Sequence, residues 1–494
     1  MNMNTKPAPA TSPWTRRNFL KIAAVSAGAA AGSRLFRAPG IFAAGSPNAK
    51  LAVVVVGCGE RGSTFHIPAA ADERLVALVD VDDKQFAVAA RPPKSQRPAG
   101  DEKRAVGVDF AKVKKFTDYR KMFDQIGKEV DAVFIATPNH HHAPVALIAM
   151  QLGKHVYCEK PLCHDIFLAR RMAEFAEKYK VATQMGNQGH SCEGARRLCE
   201  YIWGGAIGKV TTVYAWSNRA NGGVGPRPPQ EPVPAGLHWD EWIGPAPLRD
   251  YHNDLHPHEW HGWHDFGNGS LGNMGCHIMD GAFWALKLGH PASIEVEDAL
   301  GGSSERYPLG TRIRWDFPER EEMPPLKLYW FDGKKRSAKG NAAADNDTQD
   351  SIGSSIQNLP PLVEELEKKY KIKLGPNGAL YVGDKGIMWS DLTCASVRII
   401  PEKQHKATPV PKARLPRIKG SHVSDFLRAC RGGEPACSNF SYSARLTEMI
   451  LLGSLACIAG PGRKIEWDGP EMKCANLPEL NRWVKCPVRP GWEV

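Results

Sequence analysis

The chain has 494 residues, too many for one ordinary domain and enough for two domains with separate cores. Hydrophobic residues make up 42% and charged residues 24%, as in soluble globular proteins, and no uncharged apolar run reaches the roughly 18 residues of a membrane-spanning helix. Six of the basic residues behind the net charge of +11 lie within residues 1–45, and the others are scattered, so nucleic-acid binding is not expected.

Residues 1–45 are typical of a twin-arginine signal peptide. In "TRRNFLK" (15–21), Arg16 and Arg17 precede a weakly hydrophobic, alanine-rich stretch and then small residues in "FAAGS". We expect the twin-arginine export machinery to carry the chain to the periplasm or otherwise out of the cytoplasm. That route carries folded proteins, so a cofactor would travel inside. A basic tail without a targeting role is the alternative.

Residues 46–188 alternate between strand and helix patterns. The apolar runs "LAVVVV" (51–56) and "LVALVD" (75–80) predict parallel strands buried on both faces. "DDKQFAVAA" and "TDYRKMFDQIG", the latter capped by Thr117, predict helices, with a polar insertion at 91–105 between them. The alternation continues through "DAVFIAT", "HAPVALIAMQLG", "HVYCEK", "DIFLARRMAEFAEKY" and "VATQMG". The fold class is therefore α/β, with an N-terminal doubly wound parallel sheet of the Rossmann type.

Residues 189–494 have a different rhythm and predict a second domain. "TRIRWDF" (311–317) and "LKLYWFD" (326–332) alternate as antiparallel strands with one buried face do. The polar segment 337–351 predicts a surface loop. "SHVSDFLRACRGG" and "ARLTEMILLGSLACIAG" predict amphipathic helices that end at glycine, and these final helices could return to the first domain.

The twelve cysteines include no CxxC pair. This spacing favours small buried residues over a zinc site or a disulfide framework. Cys430 and Cys437 are close enough in sequence for pairing to stay open.

Gly57, Gly59 and Gly62 form G-x-G-x-x-G between a predicted strand and a predicted helix. In a dinucleotide site the first glycine permits a tight turn, the second a close approach to pyrophosphate, and the third close packing of the helix. Asp80 ends the second strand, where a carboxylate accepts hydrogen bonds from a ribose 2′-hydroxyl and repels a 2′-phosphate. The pattern favours NAD over NADP, although Arg61 and Lys84 keep NADP open.

Three segments resemble the glucose-fructose oxidoreductase, inositol dehydrogenase and rhizopine-catabolism family (Gfo/Idh/MocA), in its exported bacterial branch. They are "TPNHHHAPVALIAMQLGKHVYCEKP" (137–161), "GNGSLGNMGCHIMD" (267–280) and "SNFSYSARLTEMILLGSLA" (438–456). The resemblance implies a Rossmann domain followed by an α/β domain with a large open, mainly antiparallel sheet. The outer face of that sheet often mediates oligomerisation, so a homo-oligomer is expected.

The resemblance also implies roles for individual residues. Lys160 would reach both the nicotinamide end of the cofactor and the substrate hydroxyl, and His277 would be the base that removes the hydroxyl proton. Further residues at or beside the matching cofactor positions are Glu60, Arg61, Thr137, Pro138, Asn139, His142, Glu159 and Gln188.

Asn273 precedes His277 by four residues, and Asp280 follows it by three. In a continuous helix the three would share one face. The family pattern usually has Asp where this chain has Asn273, and an amide cannot stabilise imidazolium as a carboxylate does. Either Asp280 supplies that charge, or His277 works at a lower pKa, or activity is lost.

"HPHEWHGWHDFGNG" (256–269) is rich in histidine and tryptophan. Its spacing matches no strong ligand signature, so no metal is predicted. Trp260 and Trp263 either stack on apolar sugar faces or form a buried aromatic cluster.

Together these patterns predict an NAD(P)-dependent oxidoreductase with a tightly retained cofactor, acting on a hydroxyl of a sugar, glycoside or polyol. A glycosidase that oxidises a ring carbon transiently through bound NAD is the alternative, and a non-catalytic sugar-binding relative is a third reading.

Overall fold

The computed structural model describes residues 50–90, 108–335 and 356–494. The predicted signal peptide at 1–45, the polar insertion at 91–105 and the polar loop at 337–351 lie outside the described residues.

The first sheet contains six parallel strands in the order β3-β2-β1-β4-β5-β6. Their bounds are β1 Ala52–Val56, β2 Arg74–Val79, β3 Lys114–Phe116, β4 Ala132–Ile135, β5 His155–Cys158 and β6 Thr183–Met185. All five residues of β1 are buried, as a central strand covered on both faces requires. This strand order confirms the predicted doubly wound Rossmann sheet.

Helices connect these strands. They are Gly62–His66, which is a π-helical turn, followed by Ile67–Ala70, Asp83–Ala89, Tyr119–Ile126, Gly127–Glu129 (3₁₀), Asn139–Gln151 and Ile166–Tyr179. The predicted cap at Thr117 is wrong by one residue: the Asp118 carboxylate accepts from Arg120 N at 2.8 Å. Asp82 and Asp165 cap their helices in the same way, which satisfies backbone donors that a helix start leaves free.

The second sheet is mixed and mainly antiparallel, with the order β14-β13-β12-β7-β10-β9-β8-β15-β16 and β11 paired to β10. Its strands are β7 Val210–Ser217, β8 Ser293–Leu300, β9 Gly310–Phe317, β10 Leu326–Lys335, β11 Ile356–Gln357, β12 Gly378–Gly383, β13 Gly386–Asp391, β14 Val397–Ile400, β15 Ile465–Asp468 and β16 Lys473–Cys474. Strands β9 and β10 are antiparallel partners, as predicted, and their burial alternates along most of β9 and the first half of β10. The β7–β10 pair is parallel.

The remaining helices accompany this sheet or return to the first one. They are Gln188–Ser191 (3₁₀), Glu193–Trp203, Trp239–Ile243, Glu259–Gly262 (3₁₀), Gly269–Ile278, Asp280–Ala285, Pro361–Tyr370, Glu402–Ala407, His422–Cys430, Phe440–Ala459, Pro478–Leu480 (3₁₀) and Asn481–Val484. Phe440–Ala459 is long and apolar enough to cross a membrane, but 78% of its apolar window is buried inside the protein. Trp315 of β9 donates its Nε1–H to the carbonyl of Met449 at 3.1 Å, so this helix lies in the protein core.

The helix His422–Cys430 completes the core of the first sheet. Val423, Phe426 and Cys430 pack in one buried cluster with residues of β1, β2 and β4. The Phe426 ring lies edge-on to Phe134 and to Tyr157, with centroids 5.6 and 5.7 Å apart. The core beneath the Rossmann sheet therefore includes side chains from near the end of the chain. All twelve cysteines, including Cys430 and Cys437, are free thiols.

Candidate functional site

A cleft of about 670 Å³ opens at the carboxyl ends of β1, β2, β4 and β5, where doubly wound sheets bind ligands. Its far wall comes from the second domain, through the loop after β7, the 256–261 segment and the helix Gly269–Ile278. The cleft therefore joins the predicted dinucleotide site to the predicted proton-transfer residues.

The glycine turn forms the floor of the cleft. Gly57 has φ +89°, and a Cβ there would lie 2.5 Å from the carbonyl oxygen of Ala136. At Gly62 a Cβ would lie 1.9 Å from the carbonyl oxygen of Gly57. Gly59 has only the Gln85 side chain nearby, at 3.9 Å, so its backbone is open to the cleft. The three glycines thus meet the three requirements of a dinucleotide turn, which are a tight turn at the first, open backbone at the second and close packing of the helix at the third.

Asp80 follows β2 and lines the cleft. Its carboxylate accepts from Cys58 N at 2.6 Å and from Asp82 N at 2.9 Å, and burial raises its pKa to about 6. Each oxygen accepts one backbone hydrogen bond and keeps a free lone pair for a hydroxyl donor.

Glu159 follows β5, and its side chain is held by three neighbours. Arg61 Nε donates to Glu159 Oε1 at 2.9 Å, His66 Nε2 lies 3.0 Å from the same oxygen, and Gln188 Nε2 lies 3.4 Å away. Burial opposes ionisation of Glu159, but Arg61 and His66 outweigh it and hold its pKa well below the usual value. Glu60, Arg61 and Gln188 also line the cleft. Arg61 is thus engaged by a carboxylate.

The turn after β4 lines the cleft with Thr137, Pro138, Asn139 and His142. Asn139 begins the helix that follows, and its Nδ2 donates to Asn268 Oδ1 at 2.9 Å, which ties this turn to the second domain. His142 lies 2.8 Å from the carbonyl oxygen of Pro161 and 2.7 Å from that of Thr137. The Thr137 hydroxyl is buried without a hydrogen-bond partner among the described residues.

Lys160 extends from the end of β5 to the second domain. Its Nζ donates to the Asn273 backbone oxygen at 2.8 Å and to Asn273 Oδ1 at 3.1 Å. Asn273 Nδ2 in turn donates to Asn221 Oδ1 at 2.9 Å. Burial is the main cause that lowers the pKa of Lys160, although Glu159 opposes it. The amide at 273 therefore holds the lysine through neutral acceptors and uses its donor on Asn221, a bond that a carboxylate could not make.

His277 lies one helical turn beyond Asn273 and lines the same cleft. Its Nδ1 is buried without a hydrogen-bond partner among the described residues. Burial and the charge of Lys160 lower its pKa to about 3. The imidazole is therefore neutral at ordinary pH and able to accept a proton.

Asp280 does not serve His277. The helix Gly269–Ile278 ends before it, and a second helix begins at Asp280, so the face-sharing prediction for this residue is wrong. Its carboxylate instead lies 2.9 Å from His190 Nδ1 and accepts from the Tyr442 hydroxyl at 2.6 Å. Asp280 thus joins three chain segments in the core behind the cleft.

The two tryptophans differ. Trp260 lines the cleft and stacks on His261 with ring centroids 3.6 Å apart. Trp263 is fully buried and donates to the Asp254 carbonyl at 3.0 Å. It packs with Trp242, Trp260 and Phe266, so of the two alternatives Trp263 forms the buried aromatic cluster and does not reach the cleft lining. No group of three or more His, Cys, Asp or Glu in residues 50–90, 108–335 or 356–494 is placed to hold a metal ion.

Two family models match this chain in succession. Residues 51–187 match the oxidoreductase family NAD-binding Rossmann fold of Gfo/Idh/MocA, and residues 206–304 match the C-terminal alpha/beta domain of the same family. Both matched segments are those of the Gfo/Idh/MocA oxidoreductase family. The cleft lies between the parts that the two models match.

The curated proteins to which the chain is similar over limited segments include the following three. Levoglucosan dehydrogenase of Pseudarthrobacter phenanthrenivorans is 30% identical, covering 21% of this chain and 28% of the relative. D-xylose 1-dehydrogenase [NADP(+)] of Haloarcula marismortui is 32% identical (22% and 31%), and rhizopine catabolism protein MocA of Rhizobium meliloti is 29% identical (34% and 50%). The chain thus spans half or less of each relative's length.

Solved structures share the fold over most of the chain. Aldose-aldose oxidoreductase from Caulobacter crescentus superposes with a TM-score of 0.51 and 17% identity, over 85% of this chain and 100% of that one. The WlbA dehydrogenase from Bordetella pertussis superposes with a TM-score of 0.52 and 15% identity, over 85% and 99%. At these identities the likeness shows a shared fold alone.

Sequence reasoning missed several residues of this Gfo/Idh/MocA cleft. Asn221, which holds Asn273, and Arg219 lie in the loop after β7, where no motif marks them. Glu241 and Trp492 also line the cleft from distant parts of the chain. Only the tertiary structure brings these residues together, so no local pattern could have found them.

Substituting the second and third glycines should separate cofactor binding from folding. We expect Gly62→Ala to lower the free energy of unfolding by about 1–3 kcal/mol, because its Cβ would overlap the Gly57 carbonyl. Gly59→Ala should fold like the wild type and weaken NAD binding, because its Cβ would occupy open cleft space. Urea unfolding and NAD titration measure the two effects. Equal loss of stability in both variants would contradict this division.

Asp280→Asn should reduce stability without altering proton transfer. The amide cannot replace both acceptor oxygens, so either His190 or Tyr442 loses its buried partner, at about 1–3 kcal/mol. Exposed Asp298→Asn is the matched control. Thermal unfolding measures the cost, and a shift in the pH dependence of turnover would instead return Asp280 to a role at His277.

Proposed function

We propose that the protein is an NAD(P)-dependent oxidoreductase acting on a CH–OH group of a sugar, glycoside or polyol. The observation that carries the proposal is the single cleft in which Lys160, Asn273 and His277 face the Gly57–Gly59 turn. This arrangement supports hydride transfer coupled to proton transfer, because the candidate proton-transfer groups and the glycine turn line one cleft. The family and the sugar dehydrogenases among its relatives support the same class of reaction.

The cleft residues fit a dinucleotide. Gly59 leaves room for a pyrophosphate, and the buried Thr137 hydroxyl has a hydrogen bond left to make. Asp80 favours NAD over NADP, because a carboxylate accepts from a ribose hydroxyl and repels a phosphate. When bound, the nicotinamide supplies the hydride acceptor.

The protein moves the proton. Neutral His277 accepts the proton of the substrate hydroxyl. Lys160 directs two of its donors to Asn273 and, when protonated, keeps a third for the substrate oxygen, where it stabilises negative charge as the proton leaves. Trp260, stacked on His261, offers an aromatic face to the sugar ring.

The test is turnover with a panel of sugars, glycosides and polyols, supplied with NAD or NADP and, where the cofactor is retained, with a second carbonyl substrate as electron acceptor. Substrate-dependent formation of NADH, or oxidation of one sugar coupled to reduction of the other, is expected. Binding of sugars without any redox change would favour the non-catalytic alternative.

Asn273→Asp should shift the pH dependence of this reaction. A carboxylate at 273 would lie beside Lys160 Nζ and would favour the cationic forms of Lys160 and His277. Activity needs neutral His277 and is lost as pH falls through its pKa, so the acid limb should move to higher pH by at least about one unit. The kcat profile measures the shift, and exposed Asn218→Asp is the control. An unmoved acid limb would argue that His277 is not the proton acceptor.

A glycosidase that oxidises the ring transiently is the second candidate. It is favoured by one observation: no carboxylate in the described part of the chain is hydrogen-bonded to His277, since Asp280 is bonded to His190 and Tyr442. A chromogenic glycoside separates the candidates. Release of the aglycone without net NADH formation supports the glycosidase, whereas net redox change without aglycone release supports the dehydrogenase.

We also propose export through the twin-arginine machinery, retention of the cofactor and assembly as a homo-oligomer. Arg16 and Arg17 support export, and free NAD is not expected outside the cytoplasm, so an exported enzyme must carry its own. Mass spectrometry of the denatured protein, purified from the periplasm, tests retention directly. Absence of NAD or NADP in that sample would contradict it.

A further inference from the structure

The cationic side chain of Arg219 lines the cleft and has no ion-pair partner among the described residues. Other arginines in and around the cleft do have partners: Arg61 pairs with Glu159 at 2.9 Å, Arg120 with Asp118 at 2.8 Å and Arg306 with Asp254 at 3.0 Å. Arg219 therefore brings into the cleft a charge that forms no ion pair with a carboxylate of residues 50–90, 108–335 or 356–494.

The loop that carries Arg219 is anchored to the helix of the proposed reaction centre. It lies in the loop after β7, where Asn221 N donates to Ser270 Oγ at 2.7 Å and Asn221 Oδ1 accepts from Asn273 at 2.9 Å. Asn273 is the residue that holds Lys160. Asn221 of this loop is thus anchored at two neighbouring points, Ser270 and Asn273, on the helix that carries His277.

The electrostatics agree with this placement. Burial lowers the pKa of Lys160 and of His261, and the charge of Arg219 contributes to both shifts. Five acidic residues line the cleft: Glu60, Asp80, Asp118, Glu159 and Glu241. Glu159 pairs with Arg61, Asp118 pairs with Arg120, and Asp80 accepts from backbone donors. None of the five forms an ion pair with Arg219, so Arg219 and Lys160 bring positive charge to the part of the cleft that they line.

We infer that the substrate is an anionic sugar, whose carboxylate or phosphate group is bound by Arg219 while the reacting hydroxyl meets Lys160 and His277. This inference rests on the proposed function, since it concerns the substrate of that same site. A guanidinium pairs with either group through two parallel hydrogen bonds. The anion would also neutralise the uncompensated charge beside Lys160.

The cofactor does not account for this charge. Pyrophosphate belongs at the Gly57–Gly59 turn and a ribose 2′-substituent at Asp80, both on the first domain. Arg219 belongs to the second domain, next to the residues proposed to meet the substrate. Its natural partner is therefore a group on the substrate itself.

The test compares matched sets of a neutral hexose, its uronate and its 6-phosphate, in the gluco, galacto and manno series. Dissociation constants from calorimetry and kcat/KM values are measured for the wild type, Arg219→Gln, Arg219→Lys and Arg398→Gln. Arg398→Gln is the control, because Arg398 is exposed and pairs with Glu402 at 3.1 Å. We expect the wild type and Arg398→Gln to prefer one anionic form over its neutral sugar by at least about tenfold. Arg219→Gln should lose that preference and Arg219→Lys should keep part of it.

The two proposals fail in different ways. Turnover of neutral sugars with no preference for either anionic form, or a preference that persists in Arg219→Gln, would overturn the anionic substrate and leave the oxidoreductase standing. Arg219-dependent binding of the uronate or phosphate without redox change would overturn the oxidoreductase and leave the anionic sugar as the ligand of the cleft. Whichever anionic form loses more affinity in Arg219→Gln identifies the group as carboxylate or phosphate, and failure of every sugar to bind would overturn both.

Discussion

Lys160→Met should lower kcat/KM for the sugar substrate by about 10³-fold. Methionine keeps an unbranched apolar chain in the buried path from β5 but removes the ammonium that contacts Asn273 and stabilises charge on the substrate oxygen. The loss should fall mainly on kcat, because charge develops on that oxygen only as the hydroxyl proton leaves. Steady-state kinetics with the best substrate of the panel measure it.

The matched control is Lys154→Met, which removes a half-buried lysine just before β5 and outside the cleft lining. It should retain wild-type kcat. Binding of NAD to Lys160→Met, followed by calorimetry, separates a lost chemical step from a lost site. Turnover by Lys160→Met at the wild-type rate would defeat both the dehydrogenase and the glycosidase proposals.

His277→Gln should reduce kcat by about 10²-fold or more, because an amide cannot accept the hydroxyl proton. The fold should tolerate the change, since His277 Nδ1 has no described hydrogen-bond partner that its removal would strand. Thermal unfolding is expected to stay near that of the wild type. The exposed cleft histidine His258, changed to glutamine, is the control and should keep most of its activity.

The direction in which kcat changes with pH also follows from the role proposed for His277. Burial places the pKa of His277 at about 3, so the neutral acceptor form predominates above that pH and wild-type kcat should fall only as pH drops towards it. His277→Gln has no such group and should show a low rate without this acid limb. A variant that kept both the rate and the limb would assign proton acceptance to another residue.

Local patterns predicted the Rossmann half of the fold because its signals are local. A run of five buried residues, as in β1, and a glycine turn directly after it leave few other arrangements. The mainly antiparallel type of the second sheet was predictable from the alternating patterns of strands such as β9 and β10. The order of the strands in that sheet was not. Its β7–β10 parallel pair joins strands separated by more than a hundred residues, which periodicity does not encode.

The candidate site divides in the same way. Gly57, Asp80, Lys160 and His277 stand in motifs, and the structure gathers them in one cleft. The prediction that Asp280 shares a helical face with His277 was wrong, because it assumed a continuous helix and the chain starts a new helix at Asp280. The partners of Asn273 and Lys160 are tertiary contacts, so the sequence shows that an amide stands at 273 but not what it binds. In the structure this amide donates to Asn221.

The packing of the helix His422–Cys430 against β1, β2 and β4 bears on how the protein is made. Synthesis proceeds from the N-terminus, so the nucleotide-binding half emerges from the ribosome long before Val423 and Phe426 have been made. Until then, these two side chains cannot cover the apolar face of its sheet. That half stays partly uncovered until residues 422–430 have been synthesised. A ligand bound between the two domains can then be enclosed only after these residues have been made, so cofactor loading follows synthesis of the second sheet and the early chain depends on protection from aggregation.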